Sequence, residues 1–463
     1  MHFHVCVIGL GKQFRDFHMP MIKLAAQTAG MDWSLDLVVD LPEVLDRQVP
    51  RLRKENPNII SFKGIEMGTD LENYEIQLLR KAEELNINRV IIASEPSSHL
   101  AYLKIFSNLK VPILVDKPIV CRPQISVDSQ VPKRALEDFI GFATREASSA
   151  MITVNSSRRY NEEFGILKKE IDRCRKDSRQ EVTFITVFYA DGEVRDIDGV
   201  LYQENHPFCH GYGGLNHSTY HPVDVAAWLS GIHDWDRVNS IEVSALARSC
   251  REYLLQRFSR ATCNNSVFDT DLPLDEFPAS TNTEYDTTIN VKITYDRVKT
   301  LILSVSSIHE SPTMGSVQDR AEGSGSSPRM TGEFYVINQG DKQRFLLRRN
   351  EFPGSVGIKG NQRRNRERQI FLDVVRDPSW ATALGLEYTE VLMDQLDAMD
   401  ITKSGKYYNF LSFFLFEENA QAFYPSENIL STHLLSQMIL ILAAQSISLS
   451  GEKVQWEQGA VNE

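Results

Sequence analysis

The stretch from His4 to Asp40 limits the fold of this chain more than any other. His4-Val5-Cys6-Val7-Ile8 is a short apolar run with β-branched residues, and it stops at Gly9-Leu10-Gly11. It reads as a buried strand entering a tight turn. A helix is expected next, to about Thr28. Two glycines two apart let the backbone bend sharply and approach a pyrophosphate, whose charge would rest on the N–H groups of the following helix. A second apolar run, Leu35 to Val39, ends in Asp40, where a carboxylate at a strand tip accepts ribose hydroxyls and repels a 2′-phosphate. The third glycine position of this fingerprint holds Phe14, so the helix is expected to stand further from the strand. The pattern predicts a dinucleotide site built from Gly9, Gly11, Phe14 and Asp40, with NAD favoured over NADP.

A chain of 463 residues is too long for one core and suggests two or three domains. A formal charge of -12 leaves no broad positive field, which argues against nucleic acid or an anionic membrane as partner. Six cysteines lie far apart with no CxxC pair, as expected of free thiols in a reducing compartment. The most apolar segment, Ile429 to Leu449, is interrupted by His433, Gln437 and Gln445, so a buried helix is expected there rather than a membrane span. With a strand opening the chain and no charged leader before it, the expectation is a soluble cytoplasmic protein.

Strand and helix patterns alternate through the first 155 residues. Ile59 to Phe62 and Arg89 to Ala93 read as strands around a helical Leu71 to Leu85, a βα repetition that implies a parallel sheet. The turn Ser94-Glu95-Pro96-Ser97-Ser98-His99 then falls at a carboxyl end of that sheet, where ligands of open α/β sheets bind. A further strand, Val111 to Val115, ends in Asp116-Lys117-Pro118. A Lys-Pro bond has a weakened trans preference, although trans remains the commoner state.

The pattern then changes. Val182 to Tyr189, Ser240 to Ala247, Thr287 to Tyr295, Val298 to Ser306, Glu333 to Ile337 and Arg344 to Leu347 alternate or are β-branched, with turn signals at Asp296-Arg297 and Gly340-Asp341. These predict a second domain, 156–463, on an open-faced and mostly antiparallel sheet, after a Rossmann domain at 1–155. Gly315 to Gly332 reads as a flexible loop, and from Asn365 the chain is expected to be largely helical. Arg363 to Arg368, four arginines in six residues, reads as a solvated helix face or a patch for an acidic substrate.

His206, His210, His217 and His221 fall within sixteen residues, with Cys209 beside them and Gly213-Gly214 between. Pro222 suits the first position of a helix, Asp224 its first turn and Gly231 its end. His221 then lies at a helix N-terminus, whose dipole favours a neutral ring able to accept a proton. A metal site using His217, His221 and either Cys209 or His210 is the competing reading. The glycine pair puts His217 before the helix, so the two rings need not share a face, and no metal is expected.

Taken in order, these residues resemble the Gfo/Idh/MocA family of NAD(P)-dependent oxidoreductases. The resemblance rests on Gly9-x-Gly11, Pro96-x-x-His99, Asp116-Lys117-Pro118 at the place of the family's Glu-Lys-Pro, Arg158-Arg159-Tyr160, and Gly213-Gly214 before His221-x-x-Asp224-x-x-x-Trp228-Leu229. It implies a Rossmann domain, an open-faced sheet domain, C-terminal helices packing back, and homodimers or homotetramers formed through that sheet. It makes Lys117 the cation near the reacting hydroxyl and His221 the acid/base. Asp40 becomes the ribose ligand, and Pro96, His99 and Asp116 line the cofactor. Arg158, Tyr160 and Asp224 become substrate contacts. The implied reaction passes a hydride between nicotinamide and a secondary alcohol or ketone of a sugar, inositol or related polyol. One position departs: four residues before the histidine the family usually carries aspartate, and here it is His217. Either the proton relay is rebuilt around His217 or the scaffold serves as an NAD(P)-binding sensor without turnover.

Overall fold

The computed structural model describes residues 2–66, 70–146, 152–191, 197–202, 208–258, 277–309, 331–353, 366–398, 405–414 and 428–458. Two compact units result, one of Met1–Cys121, Glu137–Tyr160 and Ile401–Leu434, the other of Arg122–Leu136, Asn161–Asp400 and Leu435–Glu463. Along the chain come β1 (His2–Ile8), α1 (Met19–Ala29), β2 (Asp32–Asp40), α2 (Pro42–Leu52), β3 (Ile60–Lys63), α3 (Leu71–Glu84), β4 (Arg89–Ile92), α4 (His99–Phe106), β5 (Ile113–Asp116), α5 (Gln130–Glu146) and β6 (Ile152–Asn155). Next are α6 (Glu162–Ser178), β7 (Phe184–Ala190), α7 (Ile197–Leu201), α8 (Tyr220–Ser230), β8 (Val238–Ser249), α9 (Cys250–Phe258), β9 (Glu284–Tyr295) and β10 (Lys299–Ile308). The rest are β11 (Thr331–Gln339), β12 (Gln343–Pro353), β13 (Arg366–Arg376), α10 (Pro378–Ala383), β14 (Thr389–Ala398), α11 (Gly405–Phe414), α12 (Leu434–Ser448) and β15 (Val454–Glu457).

The first unit is a parallel sheet in the order β3-β2-β1-β4-β5-β6. Val5 to Ile8, Val90 to Ile92 and Ile113 to Val115 are all buried, because helices cover both faces of such a sheet and leave no side for polar residues. Met21, Ile22 and Ala25 of α1 share an apolar cluster with Phe410, Leu411 and Phe414 of α11. The chain order reverses between β1 and β4, and that switch point carries the glycine turn. Where the third glycine is missing, Phe14–His18 form a π turn ahead of α1, with Phe14 fully buried.

The second unit is a nine-stranded sheet in the order β14-β13-β12-β11-β7-β10-β9-β8-β15, antiparallel except where β7 meets β10. Alternation sets its faces: Ile289, Val291 and Ile293 of β9 and Leu301, Leu303 and Val305 of β10 are buried, while Thr288, Asn290 and Lys292 between them are exposed. Asp296 and Arg297, both at positive φ, begin the three-residue connection Asp296-Arg297-Val298 that closes the β9–β10 hairpin, with Tyr295 opposite Lys299. α6, α8 and α12 lie on the buried face: Phe164 meets Tyr335 edge-on at 5.3 Å, α8 packs on β7 and β10, and Ser446 Oγ accepts the Ala245 N–H at 2.9 Å. The apolar segment Leu430–Ser448 is long enough to cross a membrane by composition, yet 78% of it is buried within the protein.

Several expectations are corrected. The region after Asn365 is not largely helical, since β13 and β14 occupy 366–376 and 389–398. The run Gln369-Ile370-Phe371-Leu372 hides its alternation, for apolar Phe371 lies on the open face while Ile370, Leu372 and Val374 are buried. Arg366 and Arg368 therefore belong to a strand rather than a helix face, and 363–365 lie outside the described residues. The expected loop at 315–332 also lies outside them, except Thr331 and Gly332, which open β11. α8 begins at Tyr220, two residues before Pro222.

Candidate functional site

In the first unit the glycine turn is fixed by its neighbours. Gly9 has φ +91°, and a Cβ there would lie 2.5 Å from the Ala93 carbonyl oxygen and from the Ser94 backbone, so the loops after β1 and β4 touch through a residue without a side chain. Gly9 N–H donates to Val39 O at 2.9 Å. At Gly11 a Cβ would meet nothing within 4 Å: open space stands beside the turn. Asp40 closes the arrangement from the tip of β2. Its Oδ2 accepts the Leu10 N–H at 2.5 Å and its Oδ1 the Leu41 N–H at 2.8 Å. Burial pushes this carboxyl above its usual range, with the two N–H groups opposing the rise. Each carboxylate oxygen keeps a second lone pair for a ribose hydroxyl. Turn, open space and acid together fit an adenosine diphosphate.

Pro96 opens a short 3-10 turn and His99 begins α4. The His99 ring is buried, with Nδ1 at 2.8 Å from Pro118 O and Nε2 at 3.0 Å from Ser94 O. It thus ties the loop after β4 to the loop after β5. There the Lys117–Pro118 bond is cis, the state the sequence left as the less common one, and Lys117 is half-buried. Asp116 Oδ1 accepts from Asn155 Nδ2 at 2.8 Å and lies 3.2 Å from His18 Nε2. Burial raises this carboxyl, but His18 and Asn155 outweigh it, and the group ends below its ordinary range.

A buried polar chain continues from Asn155, whose Oδ1 accepts from Asn409, while Asn409 Oδ1 accepts from Asn428. His433 Nε2 lies 3.3 Å from Asn428 Oδ1, and Arg159 Nη2 lies 3.0 Å from His433 Nδ1. Arg159 is 2% exposed and also donates to Thr432 Oγ1 at 2.7 Å. Arg158 and Tyr160 on either side are only half-buried, with Tyr160 Oη 3.5 Å from Ser412 Oγ. The middle arginine anchors the turn that presents the other two residues.

In the second unit Gly213, at φ +66°, leads to α8; a Cβ there would run into the Glu284 carboxylate, and one at Gly214 would lie 2.8 Å from His309 Cε1. Glu284 receives the Leu215 N–H at 3.1 Å and the Ser126 hydroxyl. Burial drives its carboxyl up to about 7, against the pull of those two donors and of His309. His217 precedes α8 with Nδ1 at 3.0 Å from Ser218 Oγ, and His221 stands in the helix's first turn, half-buried. Asp224 is 0% exposed and accepts from Ser436 Oγ at 3.1 Å. Its place is inside the packing of α8 rather than on a surface. His206 lies outside the described residues, and among those described no three His, Cys, Asp or Glu side chains are placed to hold a metal ion.

Sequence reasoning missed His18, Asn155, Arg159, Asp191, Glu284 and His309. For Asn155, Asp191 and His309 one signal was available: each stands at the C-terminal end of a strand or directly after it, as Asp40 and Asp116 do. No family model matches the sequence, and no curated relative does. Solved structures do match. An oxidoreductase from Sinorhizobium meliloti is 10% identical with TM-score 0.54, covering 99% of this chain and 100% of its own. An oxidoreductase from Agrobacterium radiobacter, solved with NAD+, L-tartaric acid and magnesium, is 13% identical with TM-score 0.51, covering 99% of each chain. A levoglucosan dehydrogenase, solved with NADH and levoglucosan, is 12% identical with TM-score 0.53, covering 98% of this chain and 99% of its own. At these identities the likeness establishes the fold: a parallel-sheet Rossmann-like unit and a mostly antiparallel sheet unit, matched over nearly the whole of each chain.

Proposed function

We propose that this chain is an NAD-dependent oxidoreductase of the Gfo/Idh/MocA type, acting on a secondary alcohol or ketone of a sugar, inositol or related polyol. The observation that carries the reading is the switch-point turn, with Gly9 pressed against Ala93, open space at Gly11 and Asp40 at the next strand's tip. The nucleotides held by the Agrobacterium radiobacter oxidoreductase and by levoglucosan dehydrogenase support it. Gly9, Gly11, Phe14, Asp40 and Pro96 hold the dinucleotide, while His99 and Asp116 hold the loops around it. Asp40 favours NAD because its charge repels a 2′-phosphate. When bound, nicotinamide supplies the hydride chemistry.

Lys117 places an ammonium where negative charge develops on the substrate oxygen, and its screening from water strengthens that attraction. His221, at the head of α8, takes the hydroxyl proton, with His217 four residues before it sharing the transfer. Arg158 and Tyr160 contact the substrate from the turn that Arg159 anchors.

The test is nicotinamide absorbance with NAD and a panel of sugars and cyclitols. Lys117→Ala and His221→Ala are each expected to lower kcat by roughly 10²- to 10⁴-fold with NAD binding retained. Full turnover in both variants overturns the assignment. Lack of turnover by the unaltered protein, with NAD still bound, would favour a nucleotide sensor.

A further inference from the structure

The position where the resemblance leads one to expect aspartate is backed by a buried polar cluster drawn from four places in the second unit. β7 and β10 are parallel neighbours ending in register, Ala190 opposite Ile308, so Asp191 and His309 emerge side by side; Asp191 N–H donates to Ile308 O at 2.9 Å. Ser218 reaches them from the loop before α8. Its hydroxyl bonds to Asp191 Oδ2, and its Oγ lies 3.0 Å from His217 Nδ1 and 3.2 Å from His309 Nε2. Ser218, Asp191 and His309 are 2%, 3% and 0% exposed. Asp286 Oδ1 accepts the His309 N–H at 2.7 Å, and the His309 ring lies 4.5 Å from that of Tyr285.

Counting donors fixes the protons. A serine hydroxyl has one hydrogen and two lone pairs, and an ionised carboxylate only accepts. Ser218 must therefore donate to Asp191 and accept from both rings. That puts a hydrogen on His217 Nδ1 and leaves Nε2 as the proton-accepting atom of the ring. We propose that Asp191, Ser218 and His309 are positioning residues that hold His217 as an Nε2 base, replacing the missing aspartate with a carboxylate one hydroxyl away. The proposal rests on the oxidoreductase reading. In the oxidation direction the substrate hydroxyl proton, taken up at His221, would pass on to His217 Nε2, while a bound oxidised nicotinamide would supply the hydride acceptor as the carbinol carbon becomes a carbonyl. The resulting imidazolium keeps its Nδ1–H on Ser218, and the charge of Asp191 is felt through that oxygen.

The titratable and charged groups in and against this cluster are Asp191 after β7, His309 after β10, Glu284 and Asp286 on β9 and Arg248 on β8; His221 follows on α8, its backbone N–H on Ser218 O at 3.3 Å. The decisive measurement is the ¹⁵N NMR tautomer of His217, assigned with a His217→Gln control. The Nδ1–H tautomer is expected in the unaltered protein and its loss in Ser218→Ala, with Ser218→Thr restoring it. In turnover, Ser218→Ala is expected to lower kcat roughly 10²-fold at unchanged KM. The acid limb of its kcat/KM profile should move to lower pH, since the coupled carboxylate no longer favours the protonated ring. An Nε2–H tautomer in the unaltered protein, or one unmoved by Ser218→Ala, overturns the proposal whatever the activity. The expected tautomer together with no alcohol oxidation by the unaltered protein would instead bring down the oxidoreductase reading, and the catalytic use of the cluster with it.

Discussion

Gly9 and Gly11 stand two residues apart in one turn yet answer to different constraints, and substitution separates them. Alanine at Gly9 meets both a positive φ and the Ala93 carbonyl, a strain of order 1–3 kcal/mol before any clash is relieved. Gly9→Ala is therefore expected to lower Tm by several degrees in a thermal melt. Alanine at Gly11 meets open space, so the melt should hardly move while the rise in Tm produced by NAD shrinks; an unchanged NAD shift would remove Gly11 from the cofactor site. Glu284 makes a different prediction. Its carboxyl is fully buried and titrates near 7, against an ordinary value of 4.5, so between those values the folded chain keeps a proton that the unfolded chain has lost. Stability is then at full strength below the lower value and declines as pH rises through the upper one, by roughly 3 kcal/mol in all. Urea titrations at either end of that window should show the decline, and Glu284→Gln should flatten it.

Elements are held to one another by charge as well as by apolar burial. Arg349 of β12, 6% exposed, lies 2.9 Å from Glu163 of α6 and 2.6 Å from Glu333 of β11, and it also pairs with Glu351. The surrounding carboxylates favour the charged guanidinium despite burial. Arg349→Met would leave three carboxylates without their shared cation, and a loss of about 3–5 kcal/mol is expected in chemical denaturation; a loss under about 1 kcal/mol would mean that water replaces the arginine. Nothing in the sequence marked this cluster, because its members are up to 188 positions apart (Glu163 to Glu351) and each looks like surface charge on its own element. Local signals did mark the Asp296-Arg297 hairpin, the Gly9 turn and the end of α8 at Gly231, all set by one residue's backbone angles. β13 was missed because an apolar residue on the open face erased its period. The acids at Asp40 and Asp116 were legible as strand ends, whereas the partners that tune them, His18 and Asn155 among them, depend on sheet order.

At the scale of the whole molecule, the open face of the nine-stranded sheet is the feature that bears on assembly. Phe188 and Phe334 are cross-strand partners at its centre, 44% and 40% exposed, with Ile302 at 39% on the neighbouring strand and Val375 at 38% further along. Arg348, opposite Phe334, lies 4.5 Å from the ring centre of Phe371. Around them the face is polar and ordered, as in the Ser304–Asn290 and Thr288–Ser306 hydrogen bonds at 2.9 and 3.2 Å. Apolar side chains gathered inside a polar rim are what a contact surface requires. A second copy of the same face would supply a matching surface through a two-fold axis, with aromatic meeting aromatic. The expectation is a dimer or tetramer by light scattering at micromolar concentration. Phe188→Asp or Phe334→Asp would place a charge in that contact and should shift the mass to one chain while leaving the far-ultraviolet circular dichroism unchanged. A single-chain mass for the unaltered protein would mean that this face meets water or another partner, and the assembly reading would fall without touching the chemistry assigned to either unit.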